Sequence, residues 1–193
     1  RIPRFAERAA SLQHLDFPDL VERMCRALEV PADRIVLELT EGATQPLVKL
    51  MDTLTRFRIK GIGLAIDDFG TGYSSLMQLR QLPFTEVKID QAFVSDVTKS
   101  RDSRLIIQAV TELAHGLGLT ATAEGVETID QLRIVRELGC DYVQGYLVSP
   151  PLDPGALKVW VQKFRRAWPA MIAEEKLALW GDVEADSLGE WQI

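Results

Sequence analysis

The chain has 193 residues, 47% of them hydrophobic, with a formal net charge of −6 and an isoelectric point near 5.0. That balance suits one large globular domain, or one domain with an appendage. It excludes the basic stripe that duplex nucleic acid requires, and no apolar run approaches a membrane span.

The N-terminus does not read as a signal peptide. Cys25 and Cys140 lie far apart without CxxC spacing, so both read as reduced core thiols in a cytoplasmic protein. Residues 1–15 are short on structure signals. Asp16-Phe17-Pro18 predicts a helix entry, with Asp as cap and Pro in the first turn. Leu20, Val21, Met24 and Leu28 carry helical spacing to Val30, and Pro31-Ala32-Asp33 breaks it. Ile35-Val36-Leu37 predicts a strand ending in Glu38. The next helix starts near Pro46, buries Leu47, Leu50, Met51, Leu54 and Phe57, and stops at Gly61. A strand through Ile66 ends in Asp67-Asp68, followed by the Gly-bearing loop Phe69-Gly70-Thr71-Gly72-Tyr73-Ser74-Ser75.

A short helix over 75–81 reaches Pro83, and a strand over 85–89 carries Lys88. A helix over 101–116 presents Leu105, Val110 and Leu113, and Gly116 and Gly118 end it. A strand over 119–123 ends in Glu124. A helix over 128–138, with Ile129, Leu132, Val135 and Leu138 on one face, stops at Gly139, and a last strand ends in Gln144. The tail from Pro154 holds all four tryptophans, Trp160, Trp168, Trp180 and Trp191, on two predicted helices over 155–167 and 169–180. The Trp residues are expected to pack the tail on the rest of the chain or to form an interface.

Strands separated by helix-length crossovers form parallel sheets, and about five such units are visible. This is the layout of a parallel β/α barrel, whose active site gathers at the C-terminal ends of its strands. Asp67 and Asp68 are two like charges in sequence, costly together without a cation. On a strand adjacent side chains oppose each other, so the chain is expected to bend at the strand end and turn both carboxylates to one site. Glu38 and Glu41, in Glu-Leu-Thr-Glu, read as a ligand and a support for the 69–75 loop. Lys88 among these acids could orient or deprotonate a water, with Asp90 as its partner. Glu124 and Glu127 flank a Gly, and Gln144 offers a neutral oxygen. Oxygen donors converging in this way suit hard divalent cations. His14 and His115 read as structural.

Taken in order, Glu-Leu-Thr-Glu, Asp-Asp-Phe-Gly-Thr-Gly-Tyr-Ser-Ser, Lys-Ile-Asp, Ala-Glu-Gly-Val-Glu and Gln-Gly-Tyr resemble the EAL-domain family of bacterial cyclic-di-GMP phosphodiesterases. The resemblance covers roughly residues 11–152. It implies an α/β fold, a modified TIM-like (β/α) barrel, here an incomplete set of about five parallel strand–helix units over 1–152 plus a helical tail over 153–193. It implies hydrolysis of cyclic di-GMP to linear pGpG by a two-metal-activated water, with Mg²⁺ or Mn²⁺ as cofactor and Ca²⁺ inhibitory. Glu38, Asp67, Asp68, Glu124 and Gln144 are then metal ligands, and Lys88, Glu124 and Asp67 carry the chemistry. Glu41 steadies the loop around Thr71. Gly70, Gly72, Tyr73, Asp90, Glu127 and Pro151 support substrate or loop. A homodimer and an upstream regulatory domain are also implied.

Two departures stand against the matches. No Glu-Ala-Leu tripeptide occurs, and Phe5-Ala6-Glu7-Arg8-Ala9-Ala10 holds no Asn where the family's second strand places one. Gly42 stands where Ser is common, and Pro150 where Arg or Lys is usual. An unclosed parallel sheet should be unstable or aggregate. The first strands are therefore expected to be omitted or truncated, or supplied by another chain. The runner-up reading is a catalytically inactive module that binds cyclic di-GMP or a protein, and a third is a Trp-rich scaffold.

Overall fold

The computed structural model describes residues 5–6, 16–40, 47–70 and 76–179. Six strands, β1 (Phe5–Ala6), β2 (Val36–Thr40), β3 (Gly63–Phe69), β4 (Glu86–Ile89), β5 (Thr120–Glu124) and β6 (Tyr142–Gln144), lie in chain order in one sheet. Every neighbouring pair is parallel. Helices α1 (Phe17–Ala27), α2 (Leu47–Ile59), α3 (Leu76–Gln81), α4 (Gln91–Asp96), α5 (Arg101–Gly116) and α6 (Ile129–Glu137) occupy the crossovers. This is the α/β succession of parallel strand–helix units that the spacing predicts, extended by the two-residue β1 in a stretch without pattern.

Register explains why the sheet has two chemistries. Leu37 pairs with Leu64, Leu39 with Ile66, Ile66 with Val87, Val87 with Ala121 and Ala123 with Val143. Parallel partners share a face, so these residues form one apolar layer. The alternate residues form the other layer: Glu38 pairs with Ala65, Ala65 with Glu86, Lys88 with Thr122 and Glu124 with Gln144. Fully buried Leu54, Phe57, Ile107, Val94 and Val97 complete the core with the apolar layer.

Helix boundaries agree closely with the periodicity, and their faces agree less well. On α2, Leu50, Leu54 and Phe57 are buried, whereas Met51 is exposed and its neighbour Thr53 is buried instead. On α5 the buried set is Ser103, Ile107, Val110, Thr111 and Ala114, one position round from the predicted stripe, and Leu105 is exposed. Asp16 occupies the N-cap of α1 without a side-chain bond, because its own backbone stays helical (φ −83°, ψ −5°). Phe17 instead anchors that end, edge-to-face on Phe57 at 5.6 Å. Both cysteines are buried and free, and His115 ties the end of α5 to Asp141 at 2.9 Å.

Residues Arg1–Val148 and Ser149–Gln192 belong to two compact units. The second contains α7 (Pro154–Leu179), one helix where the sequence predicts two. Pro169 removes a single backbone donor, and the good helix formers around it, Ala167, Ala170, Met171 and Glu174, carry the helix through. Within α7, Trp160 stacks on Phe164 with ring centroids 4.6 Å apart.

Candidate active site

The polar layer of the sheet converges on Lys88. Its Nζ lies 3.0 Å from Glu38 Oε2, 2.6 Å from Asp67 Oδ1 and 2.5 Å from Glu124 Oε1. Lys88 is 2% exposed and Glu38 8%. Burial alone would push an ammonium toward its neutral form. The hydrogen bonds to Asp67 and Glu124, with the charges of Glu124 and Glu38, outweigh that and raise the Lys88 pKa above its ordinary value. The three carboxylates around it favour Lys88 as a charged hydrogen-bond donor in this site.

Asp67 and Asp68 reach this site through a bulge, not through a bend at the strand's end. Ile66 pairs with Val87 and Phe69 with Ile89, so two residues on β3 stand opposite Lys88 alone. Asp68 takes up the extra length with φ +56°, a left-handed conformation that Asp tolerates better than most residues. One oxygen each from Asp67, Asp68 and Glu124 then lies within 4.8 Å of the others. Burial, the Asp67 charge and a hydrogen bond with Asp90 raise the Asp68 pKa. Burial raises that of Glu124 against the opposing pull of Lys88. One ammonium faces four carboxylates here, which leaves a surplus of negative charge on hard oxygen donors. That donor set fits a divalent cation.

Glu38 and Asp90 depart from their expected placements. Glu38 sits inside β2, which continues to Thr40. Asp90 turns to Asp68 rather than to Lys88, and it caps α4 by accepting from Ala92 N at 2.7 Å. Gln144 ends β6 in register with Glu124, and its backbone oxygen accepts from Val126 N at 3.1 Å. Glu127 is exposed, and its backbone N donates to Gln131 Oε1 at 2.8 Å. Pro151 belongs to the second compact unit. Glu41, Thr71, Gly72 and Tyr73 lie outside the described residues. On the other edge, β1 places Ala6 in register with Glu38. Alanine has no side-chain donor, and residues 5–10 hold no Asn.

Two features escaped the sequence reading. Glu86, 1% exposed, lies one step before Lys88 on the polar layer and accepts a hydrogen bond from Thr122 Oγ1 at 2.5 Å. The strict alternation in Glu86-Val87-Lys88-Ile89 and Thr120-Ala121-Thr122-Ala123-Glu124 is the signal that would have found it. The short helix α4 is the other.

Residues 5–151 match the family model of the EAL domain. The chain belongs to the EAL-domain family. Among its relatives, "Cyclic di-GMP phosphodiesterase NbdA" of Pseudomonas aeruginosa is 43% identical over 150 residues, which is 76% of this chain and 19% of that protein. The EAL domain of Mycobacterium smegmatis DcpA is a structural neighbour with TM-score 0.79 and 34% identity, covering 83% of this chain and 72% of that one. The manganese and cyclic-di-GMP complex of Klebsiella pneumoniae BlrP1 has TM-score 0.72 and 31% identity, covering 77% of this chain and 38% of that one. The chain spans about a fifth of the length of the first curated relatives it matches. As in these EAL domains, the fold is a TIM-like α/β arrangement. Among the described residues no helix is long and apolar enough to cross a membrane.

Proposed function

We propose that this EAL domain is a metal-dependent phosphodiesterase that hydrolyses cyclic di-GMP to linear pGpG. The observation that carries the reading is the buried Lys88 ammonium held by Glu38, Asp67 and Glu124, with Asp68 brought alongside by the bulge. Solved relatives bound to cyclic di-GMP, one of them with manganese, support the substrate class and the cation.

In this reading Glu38, Asp67, Asp68, Glu124 and Gln144 hold Mg²⁺ or Mn²⁺. Such ions supply screening of the phosphodiester charge and acidify water bound to them. Asp67, on the bulge and bonded to Lys88, would be one of the carboxylates that hold these ions, and the family resemblance implies that it serves both. Lys88 orients the attacking water as a donor and fixes the carboxylates around it. Glu41, Gly70, Thr71, Gly72, Tyr73, Asp90, Glu127 and Pro151 support the substrate or the loop in this reading. Ca²⁺ fills oxygen sites with longer, looser coordination and inhibits. A homodimer, an upstream regulatory domain and a cytoplasmic setting accompany the same reading.

The second reading, a module that binds cyclic di-GMP without cleaving it, is favoured by one observation. Ala6 stands beside Glu38, and no Glu-Ala-Leu Glu is present. Incubating the 193-residue chain with cyclic di-GMP and Mn²⁺ or Mg²⁺, and chromatographing the products, separates the two. The expected result is pGpG that disappears in Asp67→Ala and Lys88→Ala. Calorimetric binding of cyclic di-GMP by a folded chain that yields no pGpG would establish the module instead.

A further inference from the structure

α4 has about one and a half turns, yet the ends of two strands, β3 and β5, pack against it. Its cap Asp90 bonds to Asp68 and to Ala92 N. Gln91 backs onto Gly125, the residue after Glu124: a Cβ on Gly125 would lie 2.6 Å from Gln91 Cβ. Phe93 backs onto Gly70, the residue after β3, where a Cβ would lie 3.0 Å from Phe93 Cε2. Gly70 and Gly125 both have positive φ, +103° and +68°, and neither leaves room for a side chain under α4. Behind the helix, Val94 and Val97 are fully buried and Gln131 Nε2 donates to Ser95 O at 3.5 Å, so α4 is backed by the core and by α6. The element is thus wedged between firm packing and Gly70 and Gly125, which follow the carboxylate-bearing ends of β3 and β5.

We infer that α4 is a positioning wedge. Phe93, seated on Gly70, holds the bulge that sets Asp67 and Asp68 side by side opposite Lys88, the arrangement a shared cation needs. The inference rests on the metal-dependent reading above. Its physical basis is that the bulge carries a non-glycine residue at positive φ. Such a conformation costs free energy and persists only where its surroundings over-determine it. The ring of Phe93 closes one side of that enclosure, and Asp90 closes another.

The test is Mn²⁺ binding, followed by the loss of the free-ion electron paramagnetic resonance signal. It compares the unmodified chain, Phe93→Ala, Phe93→Leu and Ile107→Ala, a core truncation on α5. Residues behind metal ligands typically change affinity by about 10- to 100-fold, so Phe93→Ala is expected to weaken Mn²⁺ by about tenfold or more. Phe93→Leu is expected to restore most of the affinity. Ile107→Ala is expected to lower the thermal midpoint while leaving affinity within about twofold of the unmodified chain. Should Phe93→Ala not fold, Phe93→Val, a smaller truncation of the same side chain, is read in its place. Unchanged affinity in the folded fraction of the Phe93 variants, or equal weakening by Ile107→Ala, overturns the wedge. Absence of Mn²⁺ binding by the unmodified chain overturns the metal reading, and the wedge with it.

Discussion

Lys88 is surrounded by acids whose mutual repulsion it holds in check, so its removal should be felt without substrate. Lys88→Ala leaves Glu38, Asp67 and Glu124 crowded with no internal cation, and breaking a buried pair from one side costs on the order of 3–5 kcal/mol. The loss should depend on pH. Asp68 and Glu124 already have pKa values raised above 3.8 and 4.5, so each favours folding below those values and loses that contribution as pH rises through the raised value. In the metal-free chain the thermal midpoint should therefore decline as pH rises through and above the ordinary carboxylate range, and the slope should steepen in Lys88→Ala. Melts across pH in chelator check this, and a variant whose stability rises with pH would contradict it. Gly145 is a second residue with a sharp expectation. A Cβ there would lie 2.2 Å from Val126 O and 2.4 Å from Val126 N, so Gly145→Ala must move backbone rather than a flexible side chain. Overpacking of this kind costs about 1–3 kcal/mol, occasionally more. Urea unfolding should show that loss, and a neutral result would mean the β5 and β6 turns part easily. Residues such as Lys88, Asp67 and Glu124 were legible from sequence because each follows or interrupts an apolar strand. The route by which Asp68 joins them was not. A bulge is a difference in register between two strands 21 positions apart, and neither strand alone contains it.

At the scale of elements, α1 and α2 are joined by charge as well as by Phe17. Asp19 lies 2.6 Å from Arg56 Nη2 and 2.8 Å from Lys60 Nζ, and Glu22 also pairs with Lys60. The hydrogen bonds from Lys60, ahead of the nearby guanidinium charges, hold the Asp19 and Glu22 carboxyls below their ordinary range. Depressed carboxylates stabilise the fold above their unfolded pKa, and that support is lost as pH falls through the folded value. The groups are open to solvent, so the effect is small and screened by salt. Protection factors of α1 amides, exchange measured relative to the intrinsic rate at each pH, should fall in acid and in Lys60→Met, and added salt should shrink the difference between variant and parent. Equal exchange in the two chains at low salt would show that Phe17 alone docks the helix. The exposed stripe Leu20, Met24 and Leu28 explains why α1 misled the periodicity. Helical spacing was real, but spacing records a face without recording what covers it. The same holds for α5, where small residues such as Ala114 and Thr111 do the packing that Leu105 was expected to do. Helix existence is legible because turns of Gly and Pro bound it. The buried face depends on tertiary neighbours that short-range patterns omit.

For the whole molecule, the question is what offsets the cost of gathering like charges inside the described parallel sheet. The described strands run from a two-residue β1 to a three-residue β6, so the polar layer is flanked by short edges rather than closed on itself. A cation bound only by the folded chain adds stability in proportion to the logarithm of its excess over Kd, about 2.7 kcal/mol at a hundredfold excess. Mn²⁺ should accordingly raise the thermal midpoint of the 193-residue chain by several degrees and flatten its decline with pH. Asp67→Asn should lose most of that shift, since it removes charge from the carboxylate that both bonds Lys88 and belongs to the three-oxygen cluster. Glu127→Gln, exposed and joined to α6 through its backbone, should keep it. A scan of melting temperature against Mn²⁺ concentration for the three chains decides the matter. If parent and Asp67→Asn rise together, the ions act on the surface at large. The surplus of acid around Lys88 would then have to be carried by protonated carboxyl groups, and stability would peak at low pH whatever the metal concentration.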